Sequence, residues 1–195
     1  MQINNRRDIL LLLLYSPGTH DAPNEPISGR TRLTKSLFLF KEEVLPHFRR
    51  GTAITAENFY EFFPWNFGPF SRQVYDDLNF FQLHGFIEEE GTEEETLPES
   101  AAEWEEWLRS SAPDSAESAF TEYEEQQFKL TEKGAAFTKL RLYQVLSDDQ
   151  RRLLREFKTR IGSASLRSIL RYVYERYPKE IVNSEIRDQI LGSGW

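Results

Sequence analysis

Two short β-prone segments, each flanked by a helix signal, constrain this chain more than anything else in it. The first is Gly85-Phe86-Ile87-Glu88; the second, about forty residues on, is Phe128-Lys129-Leu130-Thr131-Glu132-Lys133-Gly134. Gly85 suits the left-handed turn that closes a helix. Thr131 offers a hydroxyl to cap the next one. The order is therefore helix end, strand, long excursion, returning strand, helix start. The excursion is acidic: 86–125 holds 15 acidic residues against one basic residue, Arg109, while the remainder carries 17 acidic and 23 basic residues. The net charge of -8 thus belongs to an acidic insertion on a mildly basic body, not to a uniformly acidic protein.

A length of 195 residues fits one domain with elaborations, or one domain with a helical appendage. Aromatic residues make up 14%, enough to build a real core. The absence of cysteine excludes disulfides, thiolate metal sites and a cysteine nucleophile. The apolar run Ile9 to Tyr15, behind Arg6 and Arg7, is too short to span a bilayer. Ser16-Pro17-Gly18 after it reads as a helix stop, so the expectation is a cytoplasmic protein without a membrane span.

Hydrophobic spacing predicts a first helix over 5–15, with Asn4 or Asn5 as its cap and a Leu run suited to burial or to a homodimer. A second helix is expected over 30–45, ended by Pro46, with Leu33, Leu37, Phe40 and Val44 inward and Arg30, Arg32, Lys35 and Lys41 on the other side. Phe59 to Phe63 reads as a short strand, and Pro64 to Phe70 as an aromatic turn. Ser71 is expected to cap a helix running to Leu83, with Asp76 and Asp77 outward. Strands follow at 86–89 and 123–130, then helices at 131–146, 148–161, 165–177 and 183–191. Within the insertion, Trp104, Trp107 and Leu108 have the spacing of a short amphipathic helix.

This order is that of a winged helix, so the expected class is α+β, predominantly helical. A winged-helix-like domain would occupy 1–146, with the acidic wing insertion at about 91–122 and a helical extension at 147–195. Three blocks carry a family resemblance. They are Ile27-Ser28-Gly29-Arg30-Thr31-Arg32-Leu33-Thr34-Lys35-Ser36-Leu37-Phe38-Leu39, then Phe67-Gly68-Pro69-Phe70-Ser71 with Val74, Asp77-Leu78 and Gly85-Phe86-Ile87-Glu88, and Leu130-Thr131-Glu132-Lys133-Gly134. The chain resembles YwgA-like prokaryotic proteins, themselves similar to the SocA/Panacea group of antitoxin-type domains. Leu170 to Pro178 resembles the tail of the same sequences. The resemblance implies a winged-helix-like core and a non-enzymatic role, with a toxin or effector subunit as partner.

No catalytic, cofactor or metal site is legible. His20, His47 and His84 are scattered, without ligand spacing. The paired carboxylates sit in solvated runs that offer neither burial nor a close partner to shift them. Two binding readings remain. For a protein partner, Trp65, Phe67 and Phe70 in the turn and Trp104 and Trp107 in the insertion are the candidate anchors, since exposed aromatics dominate interface energies. For nucleic acid, the candidates are Arg30, Arg32, Lys35 and Arg72. A second basic set is Arg151, Arg152, Arg155, Lys158 and Arg160. The helix at 71–83 would be the one to enter a groove, yet Arg72 is its only outward cation, and phosphate binding scales with the cations available.

Overall fold

The computed structural model describes residues 3–91, 126–184 and 186–191. Trp104, Trp107 and the helix expected around them lie outside the described residues. The architecture is α+β and mostly helical, with two small antiparallel sheets.

Helix α1 (Arg6–Tyr15) begins where a capping box predicts it. The Asn5 side chain accepts from the Arg7 and Asp8 amides, and Asp8 accepts back from the Asn5 amide. Every residue from Ile9 to Tyr15 is buried, so the Leu run is the centre of the monomer's own core. Arg6 and Arg7 are the first two residues of this helix, where the backbone dipole repels cations. Each sends its Nε to one carboxylate, Asp77, at 2.9 and 2.8 Å. Asp77 is therefore fully buried and not on an outer face as expected.

Strand β1 (Ile27–Ser28) leads through Gly29 into α2 (Arg30–Leu39). The helix does not stop at Pro46. It runs through a π-helical turn, Phe40–Val44, into α3 (Leu45–Phe48). Pro46 then falls in the first turn of α3, where a missing N–H costs no hydrogen bond.

The strand expected over Phe59–Phe63 is absent. Phe59 and Tyr60 are consecutive and both buried, which no alternating strand allows. Side chains take up the backbone instead: Lys41 donates to the Tyr60 carbonyl, and Gln73 accepts from the Glu61 amide. The ribbon starts later, as β2 (Phe63–Trp65) paired with β3 (Gly68–Phe70).

Helix α4 (Arg72–Leu83) starts after Ser71, but the Ser71 hydroxyl makes no capping bond. It is buried without a partner. Gly85 takes the left-handed conformation at φ 66°, as its position required. Strands β4 (Ile87–Glu90) and β5 (Gln127–Leu130) pair antiparallel, Ile87 opposite Leu130 and Glu90 opposite Gln127. Since β1 pairs with the other edge of β5, the order is β1-β5-β4.

Thr131 caps α5 (Glu132–Arg141) by accepting from the Gly134 amide. That helix ends short of Leu146, in a 3-10 turn at Tyr143–Val145. Helices α6 (Asp148–Ser163), α7 (Leu166–Arg176) and α8 (Arg187–Leu191) complete the chain. One apolar cluster extends from Ile3 to Ile190, so α6 and α7 share their core with α1 and α2.

Candidate protein-docking surface

The β2–β3 hairpin is built to hold aromatics outward. Its connection is two residues, Asn66 and Phe67, because Trp65 pairs with Gly68. Gly68 has φ 83°, and a Cβ there would stand 2.9 Å from Cε1 of Tyr174, so both conformation and contact demand glycine. Pro64 faces Pro69 across the ribbon, and neither offers an N–H at that point. Phe63 and Trp65, two residues apart, share one face of β2. They remain 41% and 51% exposed.

The rings form a ladder. Phe63 meets Trp65 and Phe70 edge-on at centroid distances of 5.9 and 5.5 Å, and Phe70 leans on Tyr75 of α4 at 5.2 Å. Beyond Tyr75 stands the Arg30 guanidinium, 6.0 Å from that ring and paired with Glu89 at 3.3 Å. From beneath, the hairpin is pinned by donors to its carbonyls. Lys35 Nζ reaches Pro69 O at 3.0 Å, Asn183 reaches Pro64 O at 3.2 Å, and Ser184 reaches Asn66 O at 3.2 Å. Burial pushes the Lys35 amine down to about 7. Phe67, at the tip, is half-buried.

The structure therefore brings together Trp65 and Phe70 of the expected anchors, with Phe67 folded partly inward. It adds Phe63 and Tyr75, which the sequence reading missed. The usable signal is the two-residue spacing of Phe63 and Trp65, which a strand ending at Phe63 obscures.

The basic candidates are dispersed. Arg32 donates to Ile161 O at 2.8 Å and Ala164 O at 2.6 Å, closing the end of α6. Lys35 is buried, Lys41 is bonded to Tyr60 O, and Arg30 is engaged with Glu89. The outer basic face expected on α2 does not exist. The late set is engaged too. Arg151 pairs with Asp148, Arg152 with Asp149, Arg155 with Asp21 and Arg160 with Glu43, while Lys158 is buried. Arg72 is exposed on α4, close in sequence to the exposed Asp76, while Arg152, Arg155 and Arg160 of the late set are also exposed although paired.

Among the described residues, no group of three or more His, Cys, Asp or Glu side chains could hold a metal ion, and no helix is long and apolar enough to cross a membrane. Comparison with protein-family models, with curated proteins and with solved structures found no match to this chain.

Proposed function

We propose that this chain is a YwgA-like, winged-helix-type protein acting as a non-catalytic docking subunit. It serves as an adaptor or antitoxin-like accessory that grips a toxin or effector protein through the Phe63, Trp65 and Phe70 ladder. The observation that carries this reading is the pair of half-exposed aromatic rings on a hairpin pinned from below. Rigid aromatic anchors lose little conformational freedom on binding, and such residues contribute most of the energy of known interfaces. The winged-helix reading is supported by the order α1-β1-α2-α4-β4-β5, with β5 between β1 and β4.

The same strand order favours a DNA-binding regulator as the second reading. Against it stand the internal engagement of Arg30, Arg32 and Lys35 and the presence of Asp76 on the exposed face of α4. Were α4 alone to face the phosphates, Arg72 would contribute a salt slope of roughly one phosphate contact.

Affinity capture from the native host separates the readings. The wild type should retain a discrete protein that the double variant Phe63→Ala, Trp65→Ala loses, with both proteins folded alike by circular dichroism. Fluorescence anisotropy with random duplex DNA is the counter-test. Micromolar binding at moderate salt that falls with Arg72→Ala and survives the aromatic double variant would replace docking with DNA recognition.

A further inference from the structure

Helices α6 and α7 are joined by two residues, Ala164 and Ser165. The corner is fixed from α2, whose Arg32 donates to the Ile161 and Ala164 carbonyls at 2.8 and 2.6 Å. Between this corner and the end of α2 lies a cavity of about 190 Å³. Its wall is largely aliphatic, with Leu39 from α2, Ile161 from α6, Ile169 from α7 and Ala164 from the link. Ala164 and Ser168 are the small side chains of that wall, and their size leaves the space open.

Three polar residues complete the lining, and each has its polar end engaged already. Arg160 Nη2 stands 2.6 Å from the Glu43 carboxylate, and the Tyr172 hydroxyl donates to the same carboxylate at 2.8 Å. The Ser168 hydroxyl is bonded to that of Ser165 at 2.8 Å. The guanidinium charge is thus met by one counter-charge. The Glu43 bond pushes the Tyr172 phenol above its ordinary value, which keeps it neutral. Glu43 itself belongs to the π-helical turn Phe40–Val44, which begins at the residue after Leu39. Such turns recur at functional sites. Here the turn carries the carboxylate that holds two side chains of the cavity wall in place.

We propose that this cavity binds one small uncharged ring compound, between benzene and indole in size. The volume fits a single ring, since an apolar cavity of roughly 150 Å³ already takes up benzene. The wall offers no unmatched charge to hold an ion, so the gain comes from apolar surface removed from water. The ring of Tyr172, 42% exposed, gives the ligand an aromatic neighbour. The inference is independent of the docking reading, because no residue of the cavity belongs to the β2–β3 hairpin.

The test is a titration of the full chain with benzene, with indole and with benzoate, read from the methyl resonances of Ile161, Ala164 and Ile169. Benzene or indole should give saturable shifts at these methyls. Benzoate, a ring of the same size that carries a charge, should bind more weakly than benzene. Ala164→Leu and Ser168→Leu fill the space from two positions and leave the Glu43 contacts intact. Ala164 has an extended backbone and Ser168 is exposed on α7, so neither site resists leucine. Each variant should weaken binding of the neutral ring by about tenfold or more, because the added side chain and the ring would compete for one space. Circular dichroism identifies the variants that fold like the wild type. Absence of saturation with both neutral rings, tighter binding of benzoate, or an unchanged titration in a folded filling variant would each overturn the proposal. Saturable shifts at the Trp65 indole N–H in place of these methyls would overturn it as well.

Discussion

Removing Asp77 should harm the protein less than removing the two arginines that bind it. The carboxylate is fully buried, whereas the Arg6 and Arg7 side chains are 30% and 42% exposed. In Asp77→Asn the guanidinium groups can turn to water, and one amide oxygen still accepts. Two charge-assisted bonds are weakened, so the cost is about 2 kcal/mol. In the double variant Arg6→Ala, Arg7→Ala the carboxylate stays buried with its charge unmatched, at a cost of about 3–5 kcal/mol. Loss of the Arg7 guanidinium from over the Phe80 ring, at 4.2 Å, adds a few tenths more. Relief of two cations at the positive end of α1 returns a comparable amount. For a chain of this length the melting temperature should fall by roughly 5 °C in Asp77→Asn and by about 10–15 °C in the double variant. Adding Asp77→Ala to the double variant should restore part of the loss, a coupling that a mutant cycle reads directly. Thermal and urea unfolding, followed by circular dichroism, provide the measurement. If Asp77→Asn proves as damaging as the double arginine variant, burial of an unpaired charge is not what governs this clamp.

Three further outcomes follow from single sites. Gly134→Ala places a Cβ 2.0 Å from the Phe86 carbonyl oxygen, a rigid backbone atom, so chemical denaturation should show a loss of about 3 kcal/mol. Ser71→Ala should be neutral or stabilising in the same assay, although loss of an N-cap hydroxyl usually costs about 1 kcal/mol, because this hydroxyl is buried without a partner. Lys35 titrates near 7 when folded and near its ordinary 10.5 when unfolded, so between those values the unfolded chain binds more protons. Stability should therefore rise with pH across that window, by at most ~1.4 kcal/mol per unit for this lysine. Lys35→Met should flatten the unfolding midpoint against pH, and an unaltered slope would refute the assignment.

The elements that could be read in advance were those whose signals are local. Asn5, Gly85 and Thr131 act within a few residues of themselves, and each performs the terminal role its side chain or its lack of one suggests. The β4–β5 pair was legible for the same reason. Misreading began where tertiary packing decides. The spacing of α2 suggests one buried face, but the helix is packed by both β3 and α7, so Thr31, Thr34, Lys35 and Ser36 are buried beside Leu33 and Leu37. Its cations were placed in solvent by their spacing. Their long stems instead carry donors to carbonyls on other elements, partners that a linear sequence cannot reveal. Pro46 marked a break that the π turn absorbed, and Ser71 had the residue type of a cap without the orientation. On the docking surface, Trp65 and Phe70 were found by composition. Phe63 and Tyr75 needed the hairpin register and the position of α4.

The pairing of Glu90 with Gln127 makes one end of the β4–β5 pair a port. Chain leaves and re-enters at adjacent Cα positions, so the frame imposes no span on whatever is threaded between them. Lengthening such a closure is cheap, about 0.6 kcal/mol for each doubling. Cassettes of unrelated length and charge could be exchanged at this doorway while α1, β1 and the hairpin keep their places. Lineages, or engineers, could thereby change what one side of the protein presents without rebuilding the body that presents it.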